Sequence, residues 1–267
     1  MVVDFHTHAF SQKIVSKAMA ALSHNAGNAV PFIKGTIESH IDNMIKYGVN
    51  KSVVLNIATN PNQQTNVNNF AAEINSDKII AFGSVHPDAP NAIEELYRIK
   101  ELGLKGIKFH PDYQNFFVDD PKLASIYETA AKLGFIVTFH SGVDVQLFEP
   151  VHCTPQRLKA VLPIFKQSCG KVVAAHMGGY LLWYDVEKYL VGTDIFFDTA
   201  YSYSRMPNMH AKRIIKNHGA DKILFGSDIP WSGVQLEKRF IESMELSVQD
   251  NEKIMFKNAL NLLNIGG

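Results

Sequence analysis

Asp4, His6 and His8 occupy every second position of the opening run VVDFHTHAF, residues 2–10. In an extended strand alternate side chains share a face, so this spacing predicts Asp4, His6 and His8 on one side and Val3, Phe5 and Thr7 on the other. Imidazoles and a carboxylate on one face can hold a divalent ion or move protons, although an edge strand whose polar face meets water would show the same pattern. Further candidates stand at the ends of other β-like runs: Lys108 and His110 in GIKFHP, His140 in FHSG, His176 in AAHMGG and Asp228 in GSDIPW. Any one of these histidines alone is most simply a core residue bonded to loop backbone. As a set, His6, His8, His140 and His176 with Asp228 offer the nitrogen and carboxylate ligands that zinc and similar divalent ions take.

Something must bring these distant positions together. Eight apolar, β-branched runs recur along the chain, at 2–6, 52–57, 79–85, 105–110, 135–140, 171–176, 194–200 and 222–228. Between them lie segments such as PNAIEELYRIKELG (90–103) and PKLASIYETAAKLG (121–134), which open with Pro, close with Gly and repeat apolar residues at three- and four-residue steps. Those are helix start, stop and face signals. Alternating strands and helices predict a parallel sheet, and eight of each predict an α/β fold of the (β/α)8 TIM-barrel type, a single domain over 1–267 with the tail from about 249 as closing helices. Six of the 11 histidines (His6, His8, His86, His110, His140, His176) fall at or just past strand ends, where barrel enzymes build their sites. His86 reads as a loop residue before Pro87, and His24, His40, His152, His210 and His218 as surface residues.

Composition narrows the partners. With 26 basic and 26 acidic residues the formal charge is zero, which supplies no field for nucleic acid or an anionic membrane, so a small-molecule substrate is expected. No run approaches the roughly 18 apolar residues of a membrane span and no leader pattern opens the chain, so a cytoplasmic protein is expected. Cys153 and Cys169 lack a C-x-x-C neighbour and read as free thiols.

The motifs D-F-H-T-H, G-I-K-F-H-P, F-H-S-G, A-A-H-M-G-G and G-S-D-x-P-W, with the terminal N-A-L-N-L-L-N-I, resemble the amidohydrolase superfamily over nearly the whole chain. The nearer likeness is to its branch of aminocarboxymuconate-semialdehyde decarboxylase and TIM-barrel metal-dependent hydrolases. That resemblance implies one divalent metal, zinc being favoured, held by His6, His8, His140 and Asp228 with water in an open position, and His176 bonding the water or the substrate. It also leaves room for a homo-oligomer.

Such an ion would lower the pKa of its water toward about 7, with Asp228 as the base and His176 steadying the developing oxyanion. Hydrolysis of a C–N or C–O bond in a small, carboxylated molecule is the first expectation, and decarboxylation the alternative. Lys108 reads first as a partner for a substrate carboxylate and last as a structural rim residue; between these, the resemblance to binuclear members of the superfamily implies a carbamylated bridge between two metals with His176 as a further ligand. His110 divides evenly between the site and the layer behind it, and Tyr113, Phe116 and Trp231 are offered as pocket walls. Asp4 is the expected orienter of a ligating imidazole, with a buried acid bonded to backbone as the alternative. Asp198 and Thr199 read as packing, and Arg157 and Arg205 as weak candidates for a carboxylate clamp. A TatD-type nuclease is disfavoured because Lys108 stands where an acid would bridge two metals. A non-catalytic metal or metabolite binder is disfavoured because it has no use for an acid–base partner such as His176.

Overall fold

The computed structural model describes residues 1–25, 27–147, 149–168 and 170–266, so the reading of Cys169 lies outside the described residues. Its eight strands run parallel and in chain order: β1 Val3–Thr7, β2 Lys51–Leu55, β3 Ile79–Phe82, β4 Gly106–Phe109, β5 Ile136–Phe139, β6 Lys171–Ala174, β7 Phe196–Asp198 and β8 Ile223–Leu224. Ladders join β1 to β3 and β4 to β8. Two seams complete the circle: Gly83 bridges Ile107 between β3 and β4, and Thr7 bridges Ile229 beyond β8. At the second seam the Phe5 N–H also donates to the Phe225 carbonyl at 2.7 Å. The (β/α)8 barrel expected from the alternation is therefore the fold.

Burial explains why the strands read as near-continuous apolar runs. Barrel strands are covered on both faces. Ile107, Phe109, Val137, Phe139, Val172 and Ala174 belong to the larger core shared with the helices. Val3, Phe5, Val53, Leu55, Ile80, Phe82, Ile136, Val173 and Leu224 form a second cluster, with Ala259, Leu260 and Leu263 of the closing helix packed against it. The two helical segments singled out by Pro and Gly appear as Ala92–Glu101 and Ala124–Lys132, the second preceded by a 3-10 turn over Pro121–Leu123 that Asp120 caps through the Lys122 N–H. No helix among the described residues is long and apolar enough to cross a membrane.

The strands are shorter than the runs that announced them. Pairing stops at Phe109, Phe139 and Ala174, so His110, His140 and His176 stand just beyond the last paired residues, at one end of the barrel.

Four histidines expected at the surface are buried instead. His40 Nε2 meets Ser52 Oγ at 2.8 Å, His152 Nδ1 meets Asp112 at 2.9 Å, and His218 Nε2 meets the Ile195 carbonyl at 2.8 Å. His210 lies against Glu187 at 3.1 Å. Each sits on a helix or loop whose inner face packs on the barrel, where a buried imidazole fills space as an aromatic does. His24 alone of that group is exposed, and His86 is a buried loop residue whose Nδ1 accepts the Asp88 N–H.

Burial lowers the His40 pKa from 6.5 to about 4. Because the folded state disfavours the proton, the unfolded chain binds more protons between these values. Stability is then flat above pH 6.5, falls as pH drops toward 4 and levels below it, by on the order of 3 kcal/mol from this residue. Urea unfolding at pH 7 and 4.5 should show a smaller acid loss in His40→Gln than in the wild type; equal losses would remove His40 as the cause.

Candidate active site

His6 and His8 each commit one ring nitrogen away from the barrel axis. His6 Nδ1 lies 2.8 Å from Asp198 Oδ2, and His8 Nδ1 lies 2.9 Å from the Leu55 carbonyl. A carbonyl and a carboxylate only accept, so both protons sit on Nδ1 and both Nε2 atoms present lone pairs. These lone pairs meet Asp228 Oδ1, 3.3 Å from His6 and 3.2 Å from His8. Burial lowers the His6 pKa to about 4, so the ring is neutral at pH 7. Although burial pushes the Asp228 carboxyl up, the imidazoles of His8, His6 and His176 packed around it hold it well below the usual carboxylate range. Two imidazole lone pairs converging on an anion repel one another unless a cation lies between them, so the donor set fits a divalent ion.

Local chain geometry builds this convergence. A one-residue register shift between Asp4 and Thr7 breaks the alternation of β1. That shift corrects the expectation of a shared face. Asp4 turns to the backbone, accepting from the Ser227 N–H at 2.8 Å and from the His6 N–H at 3.3 Å, and orients no imidazole ring. Gly226 makes room for His6, since a Cβ there would lie 2.9 Å from the Cβ of His6. Asp228 has φ +67° and His176 +59°, left-handed conformations that cost free energy and cluster at functional sites.

Asp198, read from the sequence as packing, holds the centre together. Its Oδ2 takes the His6 Nδ1–H and its Oδ1 takes the His176 backbone N–H at 2.9 Å. Burial pushes its carboxyl up, but His6, hydrogen-bonded to it, holds it below its ordinary value. The missed signal was its place at the end of a strand, the same place as the histidines. Partners of this kind fix tautomer and orientation, so Asp198→Ala should weaken divalent-metal binding about 10–100-fold in competition with a chelator. Unchanged affinity would show that His6 holds its tautomer without it.

His176 and His140 form the next layer. His176 Nδ1 lies 3.0 Å from the Ala200 carbonyl and its Nε2 lies 3.1 Å from His140 Nδ1. His176 also approaches His6, with ring centroids 5.0 Å apart. Close ligand-atom groups comprise His6, His8 and Asp228; His6, His176 and Asp198; and His110, His140 and Asp144. The structure thus brings together three of the four expected ligands directly, and places His140 one residue further out, behind His176.

Lys108 is 1 % exposed, and its Nζ is buried without a hydrogen-bond partner. Burial lowers its pKa to about 8 against the pull of Asp198 and Asp228, so it remains largely a cation at neutral pH. His110 lies between Tyr113, 3.8 Å away, and His140, 4.0 Å away, in a nearly parallel stack. Asp144, on the loop after β5, was not anticipated from the sequence. Its Oδ2 lies 3.6 Å from His110 Nε2 and 3.9 Å from His140 Nε2. Trp231 is half-buried and its backbone N–H donates to the Asp228 carbonyl at 2.7 Å, but no described ring contact ties its indole to the histidines. Phe116 packs in the core against Phe109. Arg157 pairs with Asp119 at 2.7 Å and Arg205 lies over the Tyr201 ring at 3.6 Å, so both already have partners.

A protein-family model described as Amidohydrolase matches residues 3–265. No curated protein matches the chain. Among solved structures, 5-carboxyvanillate decarboxylase from Sphingomonas paucimobilis is similar at 14 % identity, covering 99 % of each chain with a TM-score of 0.73. A 2,6-dihydroxybenzoate decarboxylase from Rhizobium aligns at 17 % identity, 98 % of each chain and TM-score 0.72. A dihydroxybenzoic acid decarboxylase from Polaromonas sp. JS666, with bound manganese and the inhibitor 2-nitroresorcinol, aligns at 16 % identity over 98 % of this chain and 96 % of its own, TM-score 0.72. At these identities the likeness concerns the fold.

Proposed function

The chain belongs to the amidohydrolase family, and from that premise we propose that it is a metal-dependent decarboxylase of small, planar carboxylic acids. The observation that carries this reading is Lys108: a buried ammonium without a partner, within electrostatic reach of Asp198 and Asp228 at the histidine cluster. A buried cation calls for an anion, and a substrate carboxylate supplies one. Decarboxylases among the structures of similar fold support the same choice, as does the dryness of the centre, where His6 is 1 % and His176 5 % exposed. A carboxylate leaves as neutral carbon dioxide, so a site that excludes water favours the step.

The residues that would hold the ion are His6, His8 and Asp228, with His140 as the fourth. When bound, the ion supplies positive charge that draws a substrate oxygen and offsets negative charge developing on it. The mixed nitrogen and oxygen donors suit zinc or manganese. Lys108 donates to the carboxylate and fixes its place. Loss of carbon dioxide breaks a C–C bond and leaves its electron pair on the substrate carbon, and one proton fills it. His176 is placed to deliver that proton: its Nδ1–H stays on Ala200, so Nε2 is the atom that takes and gives. Asp228, an ionised carboxylate of the cluster, stabilises the imidazolium while it carries the proton. His110 and Tyr113, stacked on one another, supply a flat aromatic wall.

Hydrolysis is the second reading, favoured by Asp228, an ionised carboxylate beside two imidazoles and able to act as a base. An assay against aromatic and unsaturated carboxylic acids in 18O-enriched D2O separates the two. Decarboxylation releases one equivalent of carbon dioxide and leaves one deuterium on the product carbon. Solvent oxygen in the product without carbon dioxide would overturn decarboxylation in favour of hydrolysis.

A further inference from the structure

We propose that Asp144 is the outer partner of His140 in the metal-loaded protein, accepting at Oδ2 the proton that His140 then carries on Nε2. The inference rests on the metal reading above and concerns a residue outside the ligand set.

The tautomers of the metal-free structure set the problem. His176 spends its Nδ1–H on the Ala200 carbonyl, so its Nε2 can only accept, and the hydrogen in the 3.1 Å contact with His140 belongs to His140 Nδ1. His140 Nε2 is then a lone pair, buried and without a hydrogen-bond partner, 3.9 Å from a carboxylate oxygen of Asp144. Two facing lone pairs in a buried place are unfavourable. Moving the proton from Nδ1 to Nε2 removes that opposition with no change of charge. It also leaves His140 Nδ1 a lone pair facing that of His176 Nε2 at 3.1 Å, an opposition that a bound cation offsets, so the exchange belongs to the metal-loaded state.

Asp144 is fixed for this role beforehand. Its Oδ1 accepts the Gln146 N–H at 2.8 Å and the Leu147 N–H at 3.1 Å, which leaves Oδ2 for the histidines. The loop that carries it is pinned at Gly142, whose φ of +89° and close approach to Tyr180, where a Cβ would come within 2.1 Å of the backbone nitrogen, admit no larger residue. His140 is held by its stack on His110 at 4.0 Å. Asp144 thus repeats for His140 what Asp198 does for His6.

His110, His140 and Asp144 could instead be a separate ligand set. Against this, the Tyr113 N–H donates to His110 Nδ1 at 3.4 Å, which keeps the His110 proton on Nε2 and denies that atom a lone pair for an ion.

The test uses zinc, which is diamagnetic, and the full chain labelled with 15N-histidine. In the wild type, zinc should move the His140 proton from Nδ1 to Nε2 in long-range 1H–15N spectra. Asp144→Ala should weaken zinc binding about 10–100-fold in chelator competition, and Asp144→Asn, which keeps an acceptor oxygen, should recover most of it. A proton that stays on Nδ1 in the zinc-loaded wild type, or an Asp144→Ala affinity within twofold of wild type, overturns the assignment. Loss of a second zinc equivalent in Asp144→Ala also overturns it, in favour of the separate ligand set. Failure of the wild type to take up zinc or manganese overturns the metal reading itself, a result distinct from these.

Discussion

His6→Ala and Asp228→Ala are each expected to lose the single divalent ion proposed for the wild-type chain, and with it all turnover. In the proposed site the donors are few and buried, and the second ring nitrogens of His6 and His8 are committed to Asp198 and Leu55, so neither ring can turn to replace a lost ligand. Sites with four ligands contribute on the order of 10–16 kcal/mol, so loss of one ligand costs roughly a quarter of that, a hundredfold or more in affinity. Metal content after gel filtration measures it directly. His8→Ala serves as a third variant because it leaves the buried Asp198 with its His6 partner. Zinc at a thousand times its wild-type Kd should also stabilise the wild type by about 4 kcal/mol, and the three variants by no more than about 1.5 kcal/mol at the same concentration. One equivalent retained in both His6→Ala and Asp228→Ala would place the ion elsewhere, and two equivalents in the wild type would bring Lys108 into the coordination sphere.

Lys108→Met should move stability and activity in opposite directions. The ammonium lies in the barrel with no hydrogen-bond partner, and burial penalises its charge enough to lower its pKa to about 8. A methionine of similar length fills the same space without a charge to desolvate, so the metal-free variant should be more stable by about 1–4 kcal/mol in urea unfolding. The substrate carboxylate then loses its cation, and kcat/KM should fall on the order of 100- to 1000-fold, the usual cost of removing one preorganised donor. A less stable variant that still turns over would show that Lys108 is a structural ion partner. A fall in metal content from two equivalents to one would identify it as a bridge.

The periodicity of the chain determined the barrel. Eight runs buried on both faces had to be apolar throughout, and the helices between them had to carry one apolar stripe, so the alternation could be read without coordinates. The end of the barrel that bears the site was legible as well, because Lys108, His110, His140, His176 and Asp228 are polar residues where apolar runs stop. Tertiary structure decided which of them meet and through which atoms. The register shift in β1 turned Asp4 to the backbone and off the imidazole rings, a one-residue change that the pattern VVDFHTHAF does not record. Asp198 became the partner of His6 only through the closed barrel, Asp144 came within 3.9 Å of His140 only through a turned loop, and four helical or loop histidines became core. Periodicity reports which face of a segment avoids water, a local property that each stretch of chain carries by itself. The pairing of a ring nitrogen with a carboxylate depends on register and loop path between segments far apart, and these are fixed only when the barrel closes.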